Sequence, residues 1–245
     1  MSHIHLPDGV LPPVIWIPGF IICFALLYLL AKRVKRDEVR KKMPFAGVIG
    51  ALMLIFMSVP LGIIPVHLSL TVLCGILAGP GLGFIAVFAV NTILALIGHG
   101  GFTVIGVNTL LMGSEIILGF YIFRLLSQKA GKTISAVLAN IVALLVSTSL
   151  MITIIGSAAG LTNALPLIGH DEEHAAEVQE PDNGEVDRQQ GEEPDQEVRY
   201  LFFTGWTAVA AILLVGIIIE SLVTGLIVRF FAKVRPDLLD AATHV

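Results

Sequence analysis

The sequence predicts an all-α integral membrane protein: a bundle of seven transmembrane helices, N-terminus outside and C-terminus cytoplasmic. Three observations carry this expectation. Of the 245 residues, 56% are hydrophobic and only 14% charged, whereas soluble domains are about 25% charged. Apolar runs of bilayer-crossing length recur along the chain. The cations are segregated: thirteen of the fifteen Lys and Arg residues lie in three clusters that seven crossings bring to one side.

The first apolar segment is Val14–Ala31, entered through Pro12 and Pro13. The basic linker "KRVKRDEVRKK" follows, then a second segment, Phe45–Ile63. The third and fourth, His67–Gly79 and Leu82–Ile97, are short and separated by the break "AGPGLG". One bent crossing would place Lys129 and Lys132 opposite the first basic cluster. Cytoplasmic loops carry excess Lys and Arg, so two crossings are kept. The fifth and sixth segments are Val107–Leu126 and Ile134–Ile155; the seventh is Leu201–Phe231, followed by Lys233 and Arg235.

This divides the chain into an extracytoplasmic N-terminal peptide (1–13), helices one to six (14–159), an acidic outer loop (160–200) and a last helix with a cytoplasmic tail (201–245). The acidic loop holds twelve of the nineteen Asp and Glu residues and few large apolar ones, so it is expected to be disordered. No basic region precedes the first apolar run, so no signal peptide is expected and the N-terminus is retained, apart from Met1. Cys23 and Cys74 sit in apolar runs and read as packing residues rather than a disulfide pair. No nucleic-acid partner and no organic cofactor is expected.

The topology gathers histidines. His3, His5, His67, His99, His170 and His174 fall outside, and only His244 falls inside. Imidazole is the commonest metal-ligating side chain, so a converging set points to a metal. The N-terminus sharpens this. After loss of Met1 the chain starts Ser2-His3, and a free amine, an amide nitrogen and an imidazole form fused chelate rings. One further imidazole completes four nitrogens in a plane, a geometry suited to Ni(II) or Cu(II). His67 is the candidate for that position.

Three stretches carry a family resemblance: "HLPDGVLPP" at the front, "PVHLSLTVLCGILAGP" at 65–80 and "ALIGHGGFTVIGVNTLLMG" at 95–113. Together they resemble the CbiM/NikM family, the substrate-capture subunits of energy-coupling-factor transporters for cobalt and nickel. The resemblance covers roughly residues 2–155. It implies a plasma-membrane subunit that holds Ni(II) or Co(II) as transported substrate near the outer surface. It also implies partners: a small accessory membrane subunit, a transmembrane coupling protein and cytoplasmic ATPases, with membrane lipid around them. The chain has no G-x-x-x-x-G-K-[ST] loop of its own, so it is not expected to be an enzyme. The family's N-terminal histidine is normally the second residue. Here the matching position is His5, with three residues ahead of it once Met1 is lost, so two counterparts stand. Ser2 and His3 reproduce the chelate chemistry, and His5 reproduces the sequence position. The expected ligands are Ser2, His3, His5 and His67.

Other residues take supporting parts. Asp8-Gly9 is expected to turn, with Asp8 accepting hydrogen bonds from nearby backbone or from a ligand histidine. Asn108 matches the family asparagine and could hold the N-terminal peptide through its side chain. His99 reads as a surface histidine or an extra ligand, and Met112 as packing. Glu115 and Glu220 are carboxylates inside apolar spans, where ionisable groups default to a functional reading. Glu220 is placed in the inner half of the last span, available to a partner subunit. "HDEEH" at 170–174 has the spacing of one zinc peptidase class, with His170 and His174 as ligands and Glu173 as base. A membrane peptidase is therefore one alternative function, and a stand-alone secondary transporter is another.

Overall fold

The computed structural model describes residues 6, 8–34, 36–58, 67–159 and 206–243. Every regular element among them is a helix. They are α1 (Pro13–Arg33), α2 (Arg36–Ser58), α3 (Thr71–Ala78), α4 (Pro80–Leu96), α5 (Ile105–Ser127), α6 (Lys132–Ala159), α7 (Trp206–Val234) and α8 (Pro236–Thr243). Five are long and apolar enough to cross a membrane: α1, the 39–58 part of α2, α5, the 132–158 part of α6 and the 211–234 part of α7.

Local chemistry sets the ends. Pro13 at the first helical position of α1 has no N–H to leave unsatisfied, and Lys32 and Arg33 in the last turn face the negative end of the helix dipole. Most of α1 faces outward, with Ile21, Ile22, Phe24 and Tyr28 all more than half exposed, as expected of a helix against lipid. α2 begins nine residues before the apolar segment expected there, because the "RDEVRKK" stretch is itself helical.

The third and fourth segments depart most from expectation. Only Thr71–Ala78 of the expected His67–Gly79 helix is helical. Residues 67–70 are not, and Leu70 takes a left-handed conformation at φ 54°. The reason is tertiary: a carboxylate on α7 captures the amides of Ser69 and Leu70 before a helix can start there. At about 12 Å, α3 is too short to cross alone, and all eight of its residues are buried. Gly79, at φ 85°, then reverses the chain into α4. A Cβ on Gly83 would lie 3.6 Å from Gly75 Cα. A continuous helix would separate these residues by about 12 Å, so α3 and α4 form an antiparallel hairpin. Gly75 lets α3 come close to α5, since a Cβ there would lie 2.8 Å from the Ile116 carbonyl oxygen.

α5 is the central helix, packed against α1, α3, α4 and α6, with α7 beyond α6. One large core joins α2, α3, α4, α5 and α6. A smaller cluster at the Asp8 end contains Leu6, Leu11, Val104, Val107, Leu111 and Met151. At the opposite end α8 tucks Leu238 and Leu239 inward and touches α3, α5 and α7.

Candidate metal centre

The site grows from Leu6. Its side chain is 1% exposed and anchors the smaller core cluster. Its backbone N–H donates to Asn108 Oδ1 at 3.2 Å, and Asn108 Nδ2 donates back to the Leu6 carbonyl at 3.3 Å. The Gly101 N–H donates to the same carbonyl at 3.2 Å. Asn108 thus treats the N-terminal peptide as a neighbouring strand would, satisfying its buried donor and acceptor together.

Asp8 makes a second tie. Its Oδ2 accepts from the Phe102 N–H at 3.0 Å, and its Oδ1 accepts from the Thr103 N–H at 2.8 Å and the Thr103 hydroxyl at 2.5 Å. Gly9 follows at φ 88°, giving the turn expected of Asp-Gly. The Thr103 hydroxyl first, and the Thr103 amide next, hold the Asp8 pKa below its ordinary 3.8. The contact is so close that a Cβ on Gly101 would lie 2.4 Å from the Asp8 nitrogen.

The same loop carries His99. Its N–H donates to the Leu94 carbonyl at 2.8 Å, and Gly98 and Gly100 on either side have φ of 79° and 123°. The His99 ring lies edge-on to that of His67, with centroids 5.8 Å apart and planes at 71°. Both rings are half-buried. His67 precedes α3 rather than lying in it.

Among the described residues, no three His, Cys, Asp or Glu side chains converge as a metal cluster. The structure pairs His67 with His99 and ties the adjoining peptide down through Asp8 and Asn108. Ser2, His3 and His5 lie outside the described residues, as do His170, Glu173, His174 and the acidic loop. Met112 is 1% exposed and packs in the main core.

Glu220 corrects an expectation. It does not face a partner subunit: it is 0% exposed, and its two oxygens accept the N–H groups of Ser69 at 3.2 Å and Leu70 at 3.1 Å. Glu115 is equally buried and hydrogen-bonded to Thr71. Sequence reasoning missed Ser69, Thr71, Phe102 and Thr103 as partners. The signal for the first two was present: two hydroxyl residues interrupt an apolar run in a chain whose two intramembrane carboxylates need donors.

The described residues form an all-helical bundle with five helices long and apolar enough to cross a membrane, the class of a multi-pass membrane protein. The chain belongs to the CbiM family, described as the cobalt uptake substrate-specific transmembrane region, which it matches over residues 5–238. A Methanocaldococcus jannaschii protein named for metal transport is 30% identical over 138 residues, 54% of this chain and 62% of that protein. A Haloquadratum walsbyi protein, also named for metal transport, is 31% identical over 134 residues, 51% of this chain and 59% of that one. The chain thus spans about three-fifths of the length of these curated relatives. Two crystal structures titled as transition metal transporters share the fold. One, a truncated form, has a TM-score of 0.69 at 21% identity, covering 94% of this chain and 99% of that one. The other has a TM-score of 0.66 at 22% identity, covering 98% of each.

Proposed function

We propose that the protein is the metal-capturing membrane subunit of an ATP-driven importer for Ni(II) or Co(II), supplying cobalamin synthesis or nickel enzymes. The Asp8 end faces outside and the basic end faces the cytoplasm, as the Lys and Arg bias requires. On this reading the chain crosses seven times, with α3 and the segment before it counted as one crossing. His67 is a ligand, and the N-terminal chelate of Ser2 and His3, or His5, supplies the rest. His99, Asp8 and Asn108 support the site rather than define it.

One observation carries the reading: His67 and His99 meet beside the strap that fixes Leu6 and Asp8. The anchor at Leu6 sets where the peptide preceding it joins the fold. On this reading the amine, amide nitrogen and imidazole of the N-terminal chelate, with the His67 imidazole as a fourth nitrogen, would suit a late first-row divalent ion. Transport needs energy from partners: a coupling protein, a small accessory subunit and ATPases, because this chain contains no phosphate-binding loop.

Calorimetric titration of the purified protein with nickel and cobalt tests the reading. Saturable binding that His67→Ala weakens by at least about a hundredfold, and that N-terminal acetylation also weakens, supports it. Unaltered affinity in both would sink the ligand assignment. The buried polar residues at the start of α3 favour a second reading, a secondary transporter acting alone. Ion-gradient-driven uptake by the chain reconstituted without ATPases would support that instead.

A further inference from the structure

At the end of the bundle away from Asp8, a cavity of about 170 Å³ opens where α1, α2, α5 and the turn between α3 and α4 meet. Arg33, in the last turn of α1, and Arg124, in the last turn of α5, both line it. Lys42 of α2 lines it too. Among the described residues, no acidic side chain does. Much of the remaining wall is apolar, with Leu30 and Val34 from α1 and Phe120 and Tyr121 from α5.

Close packing shapes the recess. A Cβ on Gly81 would lie 2.5 Å from Val34 Cγ2 and 3.2 Å from the Leu30 carbonyl oxygen. The end of α1 therefore rests against the first turn of α4. That turn starts at Pro80, and no side chain caps it. The amides of Gly81 and Leu82 belong to residues lining the recess, and first-turn amides suit an anion. The opposite dipole end of α3 stops at the same turn, so the two helix ends largely offset one another. The attraction for an anion comes from the arginines.

Basic residues at helix ends follow from topology alone, and cations in open solvent need no ligand. Two arginines that share one recess with no acidic wall are a different case. A guanidinium pairs with phosphate through two parallel N–H···O bonds. Basic pockets between transmembrane helices take anionic headgroups. The recess lies at the ends of two membrane-crossing helices, the level of lipid headgroups, where tyrosine is also favoured. Tyr121 is 53% exposed and Leu125, one turn on, is 66% exposed. On α1, Tyr28 and Leu29 are also more than half exposed. Apolar surface thus continues out of the recess, which suits a phosphate that carries hydrocarbon chains. A free phosphate would leave that surface uncovered.

We propose that Arg33 and Arg124, with the first turn of α4, bind the phosphate of an anionic phospholipid whose acyl chains lie along α1 and α5. Lys42 serves as wall and is not needed as a ligand. The bound lipid ties the ends of α1, α4 and α5 together. The site stands whether or not the chain binds a metal.

Native mass spectrometry of the full chain in detergent, titrated with phosphatidylglycerol, tests the site. One phosphatidylglycerol should bind ahead of all others. It should bind at least about tenfold more tightly than phosphatidylcholine, whose phosphate carries its own cation. Arg33→Gln and Arg124→Gln should each weaken that first molecule about tenfold, the effect of one lost charge-assisted hydrogen bond. Arg33→Lys and Arg124→Lys keep the charge and lose the fork, so they should weaken it less. They keep the comparison usable if a glutamine variant does not fold by circular dichroism. Lys129→Gln removes an exposed cation at the same end but outside the recess, and should leave the first molecule in place. Equal losses at positions 33, 124 and 129, or equal affinity for the two lipids, would overturn the site. Binding of inorganic phosphate with no preference for phosphatidylglycerol would overturn the lipid in favour of a free anion. Retention of a poly-glutamate peptide in place of the lipid would overturn it in favour of a protein partner.

Discussion

Leu6 and Asn108, 102 positions apart, are joined by two hydrogen bonds that run in opposite directions. A single side-chain amide thereby fixes the N-terminal peptide onto the head of α5.

Asn108→Ala should release that peptide. It strands a buried N–H on Leu6 and removes one of two donors from the Leu6 carbonyl, which costs about 1–3 kcal/mol. The expected result is a lower unfolding temperature and faster cleavage of the N-terminal peptide by an added protease. Wild-type cleavage kinetics would contradict the clasp.

The Asp8 tie should fail in acid. Its folded pKa lies below the ordinary 3.8, so the unfolded chain takes up the proton first as pH falls. The stabilisation is complete above 3.8 and is lost as pH drops through the lower folded value. Unfolding temperature measured against pH should fall in that window for the wild type, and less steeply for Asp8→Asn. Parallel curves would count against the tie.

Two glycines give opposite expectations. Gly75→Val pushes a side chain onto the Ile116 backbone and should destabilise the bundle by at least about 1–3 kcal/mol. Gly47 in α2 has nothing within 4 Å of an added Cβ. Gly47→Ala should be neutral or stabilising by up to about 1 kcal/mol, through helix propensity. Thermal unfolding in one detergent compares them, and equal effects would contradict the close packing at Gly75.

The C-terminal helix should be held by burial rather than charge. Leu239 is 0% exposed, so Leu239→Ala should cost about 2–5 kcal/mol and speed hydrogen exchange in α8. Lys132 Nζ and Asp240 Oδ1 are 2.6 Å apart, but the Asp240 side chain is 52% exposed. Asp240→Ala should therefore change stability by less than about 1 kcal/mol. A larger loss there than at Leu239 would reverse this ranking.

Helix positions were legible in the sequence because apolar length is a local property. Val107–Leu126 was expected and Ile105–Ser127 is found. The hairpin at Gly79 was legible from the Gly-Pro break, and the turn after Asp8 from Asp-Gly. The start of α3 was not legible. Nothing near Ser69 in sequence indicates that a carboxylate 151 residues later will take its amide. The meeting of His67 and His99 was likewise out of reach, since it depends on how the α3–α4 hairpin returns the loop after α4 to the Asp8 end. Local propensity gives the pieces, whereas polar contacts between distant residues depend on the completed packing.

Because α3 is enclosed on every side, it has no face to offer lipid, and its amide partners belong to the last long helix of the chain. During synthesis, residues 67–78 leave the ribosome well before Glu220 is made. They cannot settle until α7 arrives, so the chain's final crossing completes a segment translated near its beginning. Truncation ahead of α7 should therefore leave a membrane-inserted protein with that early segment unlocked.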